Sequence, residues 1–208
     1  MKLIKYSVNS GKENMKQDAD LLEKSISEQN IEPVFRLYGW SPMCISLGRN
    51  QKSDFININN IETVRRLTGG RALLHDNEVT YSCILPSQII PNGESILNSY
   101  KYISNILIDF FKTLDIVLSF GNNKKISTQH DYCMLLTTGA DLCYKNKKII
   151  GSAQYRKKGY ILQHGSILFG YNKDLLENIF NEPISDITTI QEILPNLSKH
   201  EFIDRLEN

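Results

Sequence analysis

The sequence predicts an α+β fold: a single domain with a largely antiparallel, mixed β-sheet flanked by helices. Three features carry this. Short apolar runs bounded by glycine, proline or polar turns recur from residue 34 to residue 169, the pattern of many strands. One stretch, 95–114, instead repeats its apolar residues every three or four positions. Helices stand before, between and after the strands without the strict alternation of a βαβ array. No internal repeat, low-complexity tract or Pro/Gly/Ser linker divides the 208 residues, so one domain spanning 1–208 is expected.

The elements follow in order. Residues 14–30 form a helix with Met15, Leu21, Leu22 and Ile26 on its apolar face, and Pro33 prevents its continuation. Strands are predicted at 34–38 and at 43–47, the second closed by Gly48. After an irregular stretch, 61–67 leads into a turn at Gly69-Gly70, and 80–85 is a strand stopped by Pro86. The helix 95–114 places Ile96, Tyr100, Ile103, Leu107, Phe110 and Leu114 on one stripe. Strands are then expected at 116–120, 132–136, 140–144 and 148–152, the last two joined as a hairpin by Lys145-Asn146-Lys147. A further strand covers 160–169. The tail is helical over 174–180 and 198–206, the latter opening with a Ser198…Glu201 capping box.

Composition excludes several function classes. Lys+Arg 24 against Asp+Glu 23 leaves a formal charge of +1, without the basic excess that nucleic acid or an anionic membrane demands. No stretch reaches the ~18–20 apolar residues that span a bilayer, and the N-terminus lacks a signal-peptide apolar run. A cytoplasmic protein with reduced thiols, no nucleic-acid partner and no membrane is expected. The cysteines are Cys44, Cys83, Cys133 and Cys143; the closest two are ten residues apart, so no metal site is expected.

Four segments hold residues suited to chemistry. Arg65-Arg66-Leu67-Thr68-Gly69-Gly70-Arg71 sets cationic forks around two glycines that can bring backbone N–H groups close to a ligand, and His75 follows. A tight turn with solvated arginines fits the same residues, and neither a P-loop nor a Rossmann pattern is present. Gly151-Ser152-Ala153-Gln154, with Lys148 just before it, would let a ligand lie against the strand, or merely let strands pack closely. His164 and Gly165 lie within an apolar strand, where a histidine is commonly structural. Cys133 has polar neighbours on its N-terminal side, His130-Asp131-Tyr132, which suit a part-exposed thiol that a nearby Lys148 ammonium would activate. The other three cysteines sit in apolar runs and read as core.

Together these segments resemble the lipoate–protein ligase and octanoyltransferase family, which shares its catalytic-domain fold with biotin protein ligases and class II aminoacyl-tRNA synthetases. The matching residues run in order: Asn14-Met15 with Asp18; Arg36 to Trp40 followed by Ser46-Leu47-Gly48-Arg49 and Gln51; the Arg65 to His75 block followed by Glu78 to Ser82; Lys148 to Gln154; and Gln163 to Leu168. The cysteine-dependent octanoyltransferases are the most similar. Their nucleophile stands eighteen residues before the glycine of Gly-Ser-Ala-Gln, a position held by Cys133, and their lysine falls on Lys148. The resemblance implies octanoyl transfer from octanoyl-acyl carrier protein through a Cys133 thioester to a lysine of a lipoyl carrier domain. The glycine-cleavage H protein and the acyltransferase subunit of 2-oxoacid dehydrogenases are such carriers. It implies substrate contacts from Arg66, Gly69, Gly70, Arg71, His75, Tyr81, Gly151, Ser152, Ala153, Gln154, His164 and Gly165, no cofactor, and a monomer. The alternative within the family is an ATP- and Mg-dependent lipoate ligase acting through lipoyl-AMP; lipoyl transfer between carriers and a non-catalytic lipoyl-domain binder are further alternatives. Two departures are expected: a shortened stretch between Gln51 and Arg65, and an end at Asn208 with no separate C-terminal accessory domain.

Overall fold

Alternation within the strands builds two unlike faces, and both are covered. In the computed structural model, residues 1–53, 61–121, 131–135 and 137–208 are described. The main sheet has seven strands: β1 (Lys2–Asn9), β2 (Val34–Trp40), β6 (Glu78–Pro86), β10 (Tyr160–Leu168), β9 (Lys147–Lys157), β8 (Leu142–Tyr144) and β7 (Ser119–Phe120), in that spatial order. Only the β1–β2 pair is parallel. A second sheet holds β3 (Cys44–Leu47) between β4 (Glu62–Arg65) and β5 (Leu73–His75). The fold is the mixed α+β architecture expected, divided between two sheets.

On one face of the main sheet, Phe35, Leu37, Tyr81, Cys83, Leu85 and Ile161 meet Ile103, Leu107 and Phe111 of α2 (Ile96–Lys112) and Phe202 of α5 (Lys199–Glu207). Phe202 meets Phe110 and Phe111 edge-on, with centroids 5.7 and 6.1 Å apart. The opposite face presents Arg36, Tyr38, Thr80, Ser82, His164 and Ser166. All are buried, because α1 (Gly11–Ser27) and the small sheet cover them. The remaining helices, α3 (Lys173–Phe180) and α4 (Ile190–Ile193), follow β10.

Several elements differ from the sequence expectation for local reasons. Strand β1 pairs in parallel with β2 although its polar residues mask the pattern. Helix α1 begins at Gly11 because Ser10 and Glu13 form a complete capping box. Its buried side holds Asn14, Asp18, Leu22 and Ser25, so polar residues share the face expected to be apolar. In α2 the buried stripe runs through Ser99, Ile103, Leu107 and Phe111, while Ile96 is 62% exposed. At α5, Ser198 accepts from the Glu201 N–H, but the Glu201 carboxylate pairs with Arg205, so only half of the capping box forms. Of the strand expected at 132–136, the described residues 132–135 do not make one: Tyr132 bridges Ala72, and Cys133–Leu135 is a 3-10 turn. Leu136, His130 and the middle of the Gln51–Arg65 stretch lie outside the described residues.

The buried polar face is held by charge. Arg36 Nη1 donates to Asp18 Oδ1 at 2.8 Å and Arg36 Nη2 to Asn14 Oδ1 at 2.6 Å. Ser82 Oγ, Tyr38 Oη and His164 Nδ1 also donate to the Asp18 carboxylate. Burial opposes the Asp18 charge, but His164, Arg36 and Ser82 hold its carboxyl below the ordinary range. Burial holds His164 below its ordinary value too, against the pull of Asp18. Both depressions have the same sign. Each group contributes stability that is complete above its unfolded value and lost as pH falls through its folded value. Denaturant titrations are therefore expected to show stability level from neutral pH up to the ordinary thiol value of 9.0, and declining from about the ordinary imidazole value of 6.5 downward, with Asp18 adding a loss at lower pH. His164→Gln removes the first part of that decline. Asp18→Asn, which leaves Arg36 buried without its counter-charge, costs about 3–5 kcal/mol. Stability that is flat or rises on acidification would contradict this reading.

Candidate active site

The Asp18 cluster continues as a directional chain of hydrogen bonds under the sheet. Because His164 Nδ1–H donates to Asp18, its Nε2 accepts from the Thr68 hydroxyl at 2.8 Å, and Thr68 Oγ1 accepts from Arg66 Nε at 3.4 Å. Arg66 Nη1 donates to Ser46 Oγ at 2.7 Å, and Ser46 donates to His75 Nε2 at 2.6 Å. His75 Nδ1–H donates to Glu78, which also accepts from Thr80, and Thr80 accepts from the Trp40 indole. The contacts with Asp18 and Thr68 fix His164 as the Nδ1–H tautomer, and burial favours its neutral form.

Arg66 also sets the glycine loop. Its Nη2 donates to the carbonyls of Gly69 at 3.2 Å and Arg71 at 2.9 Å. Gly70 takes φ +94°, a conformation that disfavours a side chain, and any Cβ at Gly48 would strike the Gly70 carbonyl. The loop is stitched to the cysteine segment: Ala72 N–H donates to Asp131 O at 3.1 Å and Cys133 N–H to Ala72 O at 2.8 Å.

Two cavities meet at Cys133. The inner one is narrow and partly open, with about 370 Å³ of space between atoms, open solvent included, and is walled by Met15, Tyr38, Trp40, Leu73, Thr80, Ser166 and the network residues Ser46, Arg66, His75 and His164. Apart from Ser166 Oγ, their polar atoms turn to one another, so the cavity meets mainly carbon; Trp40 stacks on His75 with centroids 3.7 Å apart. The lining comes from β9, β10, β6 and β2 in spatial order, so the cavity crosses the sheet. The outer cavity, about 740 Å³ with open solvent included, carries charged side chains among carbon. It is lined by Gly69, Gly70, Arg71, Tyr100, Asp141, Lys148 and Gln154. Cys133, Ser152 and Ala153 line both.

Lys148 is buried in the wall beside the thiol. Its Nζ donates to the Cys133 carbonyl at 3.0 Å and lies 3.1 Å from Asp141 Oδ1. Gly151 makes room for it, since a Cβ there would stand 3.1 and 3.4 Å from Lys148 Cε and Nζ, and 2.9 Å from the Met134 sulfur. Asp141 is itself held by Thr138 N–H and Oγ1, at 2.7 and 2.9 Å, and accepts from Ser152 N–H. Of the four cysteines only Cys133 is part-exposed. Burial pushes Cys44 and Cys83 up to about 12. The site can therefore present a thiol next to an ammonium, with an apolar channel on one side and an open polar mouth on the other.

Of the residues picked out from sequence, Arg66, His75, Gly151, Ser152, Ala153, His164, Gly165 and Cys133 line the inner cavity. Gly69, Gly70, Arg71, Lys148 and Gln154 line the outer one. Tyr81 lies elsewhere: it is fully buried on the other face, stacked on Phe35, with its hydroxyl bonded to Ser152 Oγ at 2.7 Å. It supports the Gly-Ser-Ala-Gln strand from behind. Sequence reasoning missed Asp141, and it left Ser46, Thr68 and Ser166 without a role although they stand in the matched segments. Only Asp141, a charged residue opening an apolar strand, offered a signal. Among the described residues no group of three His, Cys, Asp or Glu side chains converges as a metal site would need, and no helix is long and apolar enough to cross a membrane.

Residues 10–208 match the lipoyl protein ligase A/B catalytic domain. The chain is 38% identical over 180 residues to octanoyltransferase LipM of Macrococcus caseolyticus, covering 80% of this chain and 65% of that protein. It is 36% identical over 183 residues to octanoyltransferase LipM of Halalkalibacterium halodurans, covering 82% and 66%. The match thus spans just under two thirds of these relatives' length. The fold is similar to that of P. falciparum LipL1 in complex with lipoate, with a TM-score of 0.74 at 20% identity over 100% of this chain and 60% of that one.

The differing environments of the thiols give a direct check. A disulfide-exchange reagent is expected to titrate one thiol in the native protein and all four after denaturation. The native signal should vanish in Cys133→Ser; its persistence there would show that the reactive thiol is another.

Proposed function

We propose, because the chain belongs to the lipoyl protein ligase A/B catalytic-domain family, that it is a protein acyltransferase of lipoylation that moves an octanoyl group through Cys133 to a carrier lysine. The observation that carries this reading is the placement of Cys133, the part-exposed thiol, where a partly open, carbon-lined cavity adjoins a second cavity bearing Lys148, Asp141 and Arg71. The similarity to the LipM octanoyltransferases supports it.

The chemistry follows from the parts. The donor is an octanoyl thioester on acyl carrier protein, already activated, so neither nucleotide nor metal is needed. The Cys133 sulfur attacks the thioester carbonyl; a new C–S bond forms, the old one breaks, and the Cys133 proton ends on the departing thiol. The carrier lysine then attacks the acyl-enzyme. The C–N bond forms and the Cys133 C–S bond breaks. Of the two protons the ammonium sheds, one returns to the Cys133 thiolate and one goes to solvent. Lys148, fixed by Asp141 and the Cys133 carbonyl, stabilises both the thiolate and the negative charge that develops on the carbonyl oxygen. The octanoyl chain lies in the inner cavity, where each buried methylene contributes ~0.8 kcal/mol. The outer mouth receives the carrier arm and then the lysine of a lipoyl carrier domain, such as a glycine-cleavage H protein or a dehydrogenase acyltransferase subunit. The protein works in the cytoplasm as a monomer.

A second reading, ATP-dependent lipoate ligation, rests on one observation. Arg71 Nη1 is buried at the outer cavity without a hydrogen-bond partner, as a site for an anion would be.

Mixing with octanoyl-acyl carrier protein is expected to give a covalent octanoyl adduct by mass spectrometry that is absent in Cys133→Ala. Full transfer by that variant, or lipoate-plus-ATP turnover that survives it, would favour the ligase; carrier binding without transfer from any donor would leave a binding protein. Lys148→Ala is expected to slow transfer about 10²–10⁴-fold. Gly151→Ala, which displaces the Lys148 ammonium, should slow it with little change in thermal stability.

A further inference from the structure

We propose that the Ser166 hydroxyl is a second donor to the acyl carbonyl oxygen, acting with Lys148 as an oxyanion site. This rests on the Cys133 thioester reading and assigns the residue that binds its carbonyl. Three observations point to it. Ser166 is 1% exposed, lines the inner cavity, and its Oγ is buried without a hydrogen-bond partner. The other side-chain nitrogens and oxygens of that lining are committed within the Asp18-to-Glu78 chain or, for Ser152, to Tyr81. The register then places Ser166 at the reacting end of the channel. It stands opposite Gly151 on β9, and opposite residues of antiparallel strands present side chains on the same face, with Cβ atoms about 4.5–5.5 Å apart. That face is the one Lys148 crosses, since a Cβ on Gly151 would lie 3.4 Å from Lys148 Nζ.

The physical consequence is asymmetric. The Ser166 hydroxyl is already out of reach of water, an unsatisfied buried hydroxyl is unfavourable, and an alkyl chain offers it no partner. One oxygen enters with every substrate: the thioester carbonyl, attached to the carbon that Cys133 attacks. Donation from Ser166 satisfies the hydroxyl, and the bond strengthens as negative charge collects on that oxygen during both attacks. No proton is transferred by Ser166 in either step. The hydroxyl stays a donor while the C–S bond to Cys133 forms, and again while it breaks.

The test compares the parent protein with Ser166→Ala and Ser166→Thr, using octanoyl-acyl carrier protein labelled with carbon-13 at the carbonyl. In Ser166→Ala the single-turnover rates of acylation and of transfer to a lipoyl domain are expected to fall on the order of a hundredfold with KM unchanged. The carbonyl stretch of the Cys133 thioester should move to higher wavenumber, while iodoacetamide alkylates Cys133 at the parental rate. Ser166→Thr, which keeps the hydroxyl, should restore most of the rate and the carbonyl frequency. Parental rates in Ser166→Ala, an effect on KM alone, an unshifted carbonyl stretch, or a parallel loss of Cys133 alkylation would each overturn the assignment. Absence of any thioester in the parent would instead remove the Cys133 reading, and this inference with it.

Discussion

The buried Asp18 carboxylate is the interaction on which the rest of the structure depends. A charge taken out of water is tolerable only with close partners, and here they come from four elements: Arg36 and Tyr38 on β2, Ser82 on β6 and His164 on β10. Helix α1 must therefore lie across those strands with Asp18 facing inward. From His164 the chain passes through Thr68, Arg66, Ser46 and His75 to Glu78, tying the small sheet and the glycine loop to the same anchor. Apart from Arg36 Nε, these groups find partners. A network satisfied to that degree has little freedom to adopt another arrangement.

The network also explains how polar residues wall an apolar channel. Apart from the Ser166 hydroxyl, the donors and acceptors of the wall point sideways to neighbours, which leaves ring faces and aliphatic carbons toward the cavity. The dipoles are spent within the wall, and what remains for a ligand is shape. The two histidines are held as parts of that wall by bonds at both ring nitrogens. The working groups collect around Cys133, Lys148 and Asp141, where the two cavities adjoin. There the parallel bridge from Ala72 to Tyr132 sets the cysteine segment against the loop that Arg66 shapes.

Much of the fold and part of the site were legible in the chain. Strands β2, β3, β6 and β10, the β8–β9 hairpin, and helices α1 and α2 were found because their apolar residues recur with a strong period. Strand β1 was missed because its lysines and serine break that period, and β5 because three residues are too few to show one. The site residues found by type were those whose chemistry is unusual for their surroundings: clustered arginines with glycines, a lysine before Gly-Ser-Ala-Gln, a cysteine in a polar segment. Tyr81 matched a motif, yet it faces the apolar core, because alternation on β6 sends Thr80 and Ser82 to the site and Tyr81 away from it. Ser46, Thr68 and Ser166 are ordinary residues whose importance lies in what they touch.

The sequence by itself determined which residues share a face, where glycine must stand, and which side chains are capable of thiol and cation chemistry. Periods of two and of three to four residues, together with steric limits, act locally and can be read locally. Only the tertiary structure decided that the polar face of β6 and β10 is buried rather than wet, and that a loop near residue 70 braces the cysteine at 133. It also decided that one hydroxyl in the channel has no partner. Periodicity records which residues face the same way; what covers that face is settled by residues dozens of positions distant, through packing that no local pattern encodes.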